Sequence, residues 1–158
     1  MTTTLALTLT IRVATRADVP AIVRMLADDM LGASREAYAD PLPQAYYDAF
    51  AEIEAMSGTE QIVAERDGTI IGSMQLTYIP GISKKGMKRA IIEAVRIDSP
   101  LRGSGLGSEM IRWAVARAKE KGCGVVQLTS DKARTDAHRF YEKLGFKGSH
   151  LGMKLELK

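Results

Sequence analysis

At 158 residues, with 46% hydrophobic and 26% charged side chains, the chain has the length of one domain and the composition of an ordinary globular protein. Disordered, collagen-like and membrane-spanning classes are disfavoured. The net charge of +3 hides a division: residues 1–79 carry 5 Lys and Arg against 11 Asp and Glu, a charge of −6, and residues 80–158 carry 17 against 8, a charge of +9. Such a split suits a protein that brings an anionic cofactor to a cationic substrate, although a solvated surface with chance asymmetry would look the same.

The single cysteine, Cys123, has no partner for an internal disulfide. With two histidines it offers no metal cluster, so no metal is expected. The first residues, MTTTLALTLTIR, lack the basic start of a signal peptide, and no apolar run is long enough for a membrane span. A cytoplasmic protein with one domain over residues 1–158 is the expectation, with residues 1–8 free to fray.

In chain order, residues 5–14 alternate apolar and polar residues and read as a strand. Asp18 as N-cap and Pro20 in the first turn open a helix that Ile22, Val23, Leu26 and Met30 carry toward Gly32. After Asp40, Pro41 and Pro43, Tyr46, Phe50, Ile53 and Met56 mark a second helix, ended by Ser57-Gly58. Residues 61–66 and 70–79 flank Asp67-Gly68, a pair that accepts the positive φ angles of tight hairpins. A basic loop with Lys84, Lys85 and Lys88 leads to RAIIEAVRI, residues 89–97, which is apolar enough for a central strand. Leu106, Met110, Trp113, Ala114 and Ala118 form a third helical stripe, residues 125–129 a short buried strand, and Ala137, Phe140, Tyr141 and Leu144 a last helix. Residues 146–149 and the alternating 151–157 read as a terminal pair of strands. The sum is an α/β sandwich on a mixed sheet.

The turn Arg102-Gly103-Ser104-Gly105-Leu106-Gly107-Ser108 carries the most chemistry. Its glycines let the chain pass close to a ligand, and the helix that begins there presents unpaired amides and the positive end of its dipole. A pyrophosphate is the natural guest. The Walker pattern and the dinucleotide GxGxxG are both absent, and a glycine turn that only lets helix pack on strand is the plainer alternative.

Those residues, with Glu93-Ala94-Val95-Arg96-Ile97 before them and Asp136 to Phe146 after them in an A-x-x-x-Y-x-x-x-G-F arrangement, resemble the GNAT superfamily of acyl-CoA N-acyltransferases. The likeness follows the order of elements over residues 9–157 and is motif-specific over about 89–157. ADDMLG, PLP and SHLGMKLEL are similar to small stand-alone bacterial members, some of them like aminoalkylphosphonate acetyltransferases in their last third. The resemblance implies a mixed, mostly antiparallel sheet of six to seven strands with about four helices on its two faces and splayed central strands.

It also implies acetyl-CoA as acyl donor. The pyrophosphate would lie on residues 102–108 and the pantetheine arm along Val95, Arg96 and Ile97. Tyr141 would donate a proton to the departing thiolate and Glu93 would act as general base. Each has a structural alternative, since Tyr141 shares the apolar face of its helix and Glu93 can serve as a hydrogen-bonding strand residue. Where the family often has Asn, three residues before Ala137, this chain has Arg134, which can still reach a phosphate or pantetheine carbonyl.

Cys123 lacks a plausible partner in His138 or His150, which favours direct attack in a ternary complex over an acyl-enzyme. The acceptor is then a primary amine, of a small molecule in the first place or of a protein. Asp28, Asp29, Glu36, Tyr38, Tyr46 and Tyr47 are candidates to receive it. No nucleic-acid or membrane partner is expected, and a homodimer is allowed. A non-catalytic acyl-CoA sensor is the alternative; it would keep residues 102–107 without needing Glu93 or Tyr141.

Overall fold

Period-two alternation puts opposite side chains of each strand on opposite faces, so a strand buried on both faces must separate two layers of helices. β2 does this with three residues: Ile62 and Ala64 belong to one apolar cluster, and Val63, between them, to the other. The computed structural model describes residues 9–158. Over that range a five-stranded sheet has the order β1-β2-β3-β4-β5, formed by β1 (Leu9–Val13), β2 (Thr59–Arg66), β3 (Thr69–Ile79), β4 (Lys88–Ile97) and β5 (Cys123–Leu128). The first four are antiparallel neighbours, and β5 runs parallel to β4.

The helices α1 (Val19–Ala27) and α2 (Gln44–Ala55) cover one face, where Val19, Ile22, Val23, Met25 and Phe50 are buried with Val63 and Ile70. α4 (Leu106–Glu120) covers the other, seating Leu106, Met110, Ile111, Ala114 and Ala118 on Met74, Leu76 and Ile92. α5 (Thr135–Lys143) lies at the margin of the same cluster, with Phe140, Tyr141 and Leu144 partly buried. The Asp67-Gly68 turn joins β2 to β3 with φ of 50° and 78°, as the sequence predicts. The basic loop holds only the single turn α3 (Ser83–Gly86).

Three expectations change. The first strand is described only from Leu9, and residues 5–8 of the predicted strand lie outside the described residues. The first helix stops at Ala27 rather than near Gly32, and Met30 is exposed. Asp28 leaves helical geometry and the Asp29 carboxylate is drawn away to two arginines. The sheet has five strands, not six or seven, because the predicted terminal pair does not form. Residues 147–158 are exposed and without strand structure. The helix count of five includes the one-turn α3.

Candidate active site

The site begins where β4 loses a neighbour. β5 pairs with β4 only through Lys88–Ile92, and its last residue, Leu128, stands opposite Ile92. From Glu93 to Ile97, therefore, β4 is held by β3 alone and its other edge opens into a wedge. Against β3 the register slips between Ser73 and Gln75, so that Ala94 and Val95 together face the single residue Met74. Ala94 takes φ +52°, a left-handed conformation rare for alanine. Such a bulge bends the strand and re-aims its side chains, and backbone strain of this kind gathers at ligand sites.

Glu93, just before the bulge, is solvent-exposed. Burying a carboxylate in a largely apolar strand would be costly, and its exposure avoids that cost. Behind the bulge, under α1 and α2, lies a cavity of about 160 Å³ whose lining includes Ile22, Tyr46, Phe50, Ser73, Gln75 and Ala94. The buried Ser73 hydroxyl in it has no hydrogen-bond partner among the described residues.

At the end of β4 the chain passes through a 3₁₀ turn into the glycine turn. Gly103 and Gly105 have φ +80° and +89°, and a Cβ at either would meet nothing within 4 Å. The amide of Ser104 is bonded to Leu101 and that of Glu109 to Gly105, while those of Gly103, Gly105, Leu106, Gly107 and Ser108 donate to no backbone carbonyl among the described residues. An α-helix leaves its first amides in this state, and glycines keep the space before them open. The turn therefore fits a diphosphate: free donors, positive dipole end, no side chain in the way.

The guanidinium of Arg102, expected on that anion, instead donates to the carbonyls of Asp28 at 2.6 Å and Ile97 at 3.3 Å. It remains half exposed. Gly107 sits against the Phe140 ring, so α4 and α5 meet at the mouth of the wedge.

Tyr141, on α5, is packed edge-on to Phe140 at 5.0 Å and Phe146 at 5.8 Å. Its hydroxyl has no hydrogen-bond partner among the described residues. Burial raises its pKa above the ordinary phenol value, and the charges of Arg96 and Arg134 pull the other way. These two arginines converge on Asp29. Arg134 donates two hydrogen bonds, 2.9 and 2.6 Å, and Arg96 approaches at 3.5 Å. The Arg134 contact, with Arg96 and the Gly32 amide, holds the Asp29 carboxyl at about 2 against the cost of its burial. Arg96, the more deeply buried, leaves its Nε without a partner and has its pKa lowered by that burial.

Contacts thus join Arg96 to Arg134 through Asp29, and the turn to α5 through Gly107 and Phe140, with Tyr141 next to that phenylalanine; Glu93 stands exposed on the strand that carries Val95 to Ile97. The acceptor candidates of the N-terminal half are mostly engaged elsewhere. Tyr46 donates to Glu36 at 2.8 Å, Tyr47 lies under Arg16 at 4.2 Å, and Asp29 is ion-paired. Sequence reasoning missed the bulge at Ala94 and the inward cavity behind it; nothing in Glu-Ala-Val announces a left-handed residue. Cys123 has its thiol pKa raised by burial, and His138 is bonded to the Asp131 carbonyl at 2.9 Å, so no activated thiol is formed.

The Asp29 pairing has a pH signature. A carboxyl near 2 in the fold and about 3.9 unfolded stabilises the protein fully above the unfolded value, and that contribution is lost as pH falls from about 4 through 2. Asp29→Asn should cost about 2 kcal/mol near pH 6, and the gap to the parent should shrink toward zero at pH 2. Urea midpoints of both proteins across that range check it. A gap independent of pH would mean the carboxylate charge contributes nothing.

Several curated relatives match the chain in part. The aminoalkylphosphonate N-acetyltransferase of Salmonella typhimurium is 32% identical over 107 residues, 68% of this chain and 69% of that protein. The glucosamine 6-phosphate N-acetyltransferase of Trypanosoma brucei brucei is 37% identical over 90 residues, 57% of this chain and 59% of that one. Among solved structures, that of a transcriptional regulator from Bacillus halodurans C-125 has a TM-score of 0.92 and 50% identity, covering 95% of this chain and 100% of its own. The acetyltransferase (GNAT) family model matches residues 25–146, most of the chain: the chain belongs to that family and is an N-acetyltransferase with acetyl-CoA as its acyl donor.

Proposed function

We propose that this enzyme acetylates the primary amine of a small molecule, cytoplasmic in setting, by direct attack of the amine on acetyl-CoA in a ternary complex. The observation that carries the reading is the conjunction in one wedge of five free amides at the start of α4, an unpaired β4 edge, and Tyr141 at the mouth. The amides of residues 103–108 take the diphosphate, with Arg102 and Arg134 as cations able to turn from Asp28 and Asp29 toward it. The free edge of Val95, Arg96 and Ile97 pairs with the pantetheine amides. The thioester then reaches the bulge, with Tyr141 on the thiolate side and Glu93 on the amine side.

The two curated relatives described above are named for small amine acceptors, which supports a small molecule here rather than a protein. The setting rests on the lack of any helix, among the described residues, long and apolar enough to cross a membrane. One domain spans the chain, and the enzyme works as a homodimer. Several basic residues, Arg12, Arg24, Arg117 and Arg134, are already paired with carboxylates, which argues against a nucleic-acid surface.

The name of the Bacillus halodurans protein favours one second reading, an acyl-CoA sensor that binds without turnover. Thiol release from acetyl-CoA with a panel of small amines separates the two: the enzyme turns over steadily, and a sensor does not. In the same assay Glu93→Gln should keep acetyl-CoA binding but lower kcat/KM by about ten- to a hundredfold near pH 7, where the amine is mostly protonated. Raising the pH should recover part of the loss. An unchanged pH–rate profile would leave the base elsewhere.

A further inference from the structure

Protein interiors are packed nearly without voids, and space left among apolar side chains costs stability. The cavity behind the β4 bulge, of about 160 Å³, is such a space, and Ile22, Leu26, Phe50 and Ile53 give it an apolar wall without a lysine, an arginine or a carboxylate. Two of its polar side chains are already engaged. The Tyr46 hydroxyl donates to Glu36 and accepts from the Ala37 amide, and the Gln61 side-chain amide donates to the Met74 carbonyl. Ser73 is different: it is 1% exposed, and its hydroxyl has no partner among the described residues. A hydroxyl in that state has lost its hydrogen bonds to water and gained none in return.

The cavity lies beside the base proposed for the amine. Ala94 lines it and is itself exposed, and Glu93 is the residue before. Glu93 also stands opposite Gln75, another lining residue, in the register of β3 against β4. Side chains opposite one another in a sheet share a face, so Glu93 and the cavity are both on the face covered by α1 and α2. An amine held at Glu93 therefore has the rest of its molecule next to an apolar space with one free hydroxyl in its wall.

We infer that this cavity receives the carbon frame of the acceptor, a primary amine carrying a compact apolar group the size of a benzene ring, with one hydroxyl on it for Ser73. The size follows from the volume, since an apolar cavity of about 150 Å³ takes up benzene. The single polar anchor in an apolar wall is the usual build of a small-molecule site, in which the wall supplies affinity and the polar group fixes orientation. Phosphonate and phosphate, the groups in the names of the two relatives' acceptors, find no cation among the lining residues. Ser73 is thus a specificity-determining residue for an arylalkylamine. The inference rests on the amine acetylation proposed above and names the substrate class of that same site.

Thiol release with saturating acetyl-CoA tests it on phenethylamine, its three ring-hydroxylated isomers, ethylamine, 2-aminoethylphosphonate and glucosamine 6-phosphate. Phenethylamine should exceed ethylamine and both phosphorus-bearing amines at least a hundredfold in kcat/KM, and one hydroxylated isomer should exceed phenethylamine about tenfold. Ser73→Ala should remove that last preference while keeping the Tm and the acetyl-CoA thermal shift, because the hydroxyl it deletes is unpartnered. Ala49→Phe, a larger side chain at an exposed lining position of α2, should narrow the preference for phenethylamine over ethylamine at least tenfold. Phenethyl alcohol, which has the ring and no amine, gives a readout without turnover: it should bind the parent protein by calorimetry and bind Ala49→Phe at least tenfold more weakly. Phosphorus-bearing amines used as well as phenethylamine, a hydroxyl preference that survives Ser73→Ala, or phenethyl alcohol that fails to bind would overturn this assignment and leave amine acetylation standing. No turnover of any amine by a protein that acetyl-CoA stabilises would overturn both.

Discussion

Gly105→Asp is expected to abolish the thermal shift that acetyl-CoA gives the parent protein. At a hundredfold excess over its dissociation constant a ligand adds about 2.7 kcal/mol of stability, which for a chain of this size is roughly 5–10 °C in Tm. The substitution should act in three ways: the φ of +89° suits glycine, a side chain would enter the space before the amides, and a carboxylate would repel the diphosphate. Gly105→Asn separates them, because asparagine has nearly the same volume and tolerates left-handed backbone at least as well as aspartate. The expected order of shifts is parent, then Asn, then none for Asp, with the two variants similar in Tm without ligand. A full shift in Gly105→Asp would falsify the assignment of the diphosphate to this turn.

How much of this was legible follows from the range of each interaction. The Asp67-Gly68 hairpin, the central β4 and the glycine turn are fixed by neighbours within a few residues, and their patterns survive in the sequence. The end of α1 is not, because Asp29 leaves the helix for a partner 105 positions away, Arg134. The same pairing takes from Asp29 the acceptor role that its charge suggested. Residues 151–157 are instructive in the other direction. Their alternation says that one face is to be buried, and is silent about which strand, or which copy of the chain, lies beside it. In the site, residue types were readable at Glu93, Tyr141 and the turn, but the bulge that orients Glu93 depends on the register of β3 against β4.

Tyr141→Phe should lower turnover by about ten- to a thousandfold while leaving the fold nearly unchanged. The ring supplies the packing on Phe140 and Phe146, and phenylalanine keeps it. The hydroxyl has no partner among the described residues, so its removal should move Tm by only a few degrees in either direction. In the proposed mechanism the hydroxyl would offer a proton at the place where the thiolate leaves. A phenol near pKa about 10 giving its proton to a thiolate near about 8.5 is uphill by about 2 kcal/mol, a modest cost for a step that would otherwise release a bare anion. Burial raises the Tyr141 pKa and keeps the proton in place at neutral pH, and the charges of Arg96 and Arg134 work against that rise. The same two guanidinium groups would stabilise negative charge developing on sulfur, so the loss in Tyr141→Phe should be partial. Arg96→Met in the Tyr141→Phe background should then cost more than in the parent if the two share that charge. Turnover unaltered in Tyr141→Phe, in single-turnover measurements that isolate the acetyl-transfer step, would reduce Tyr141 to a packing residue and leave the thiolate to be protonated by water.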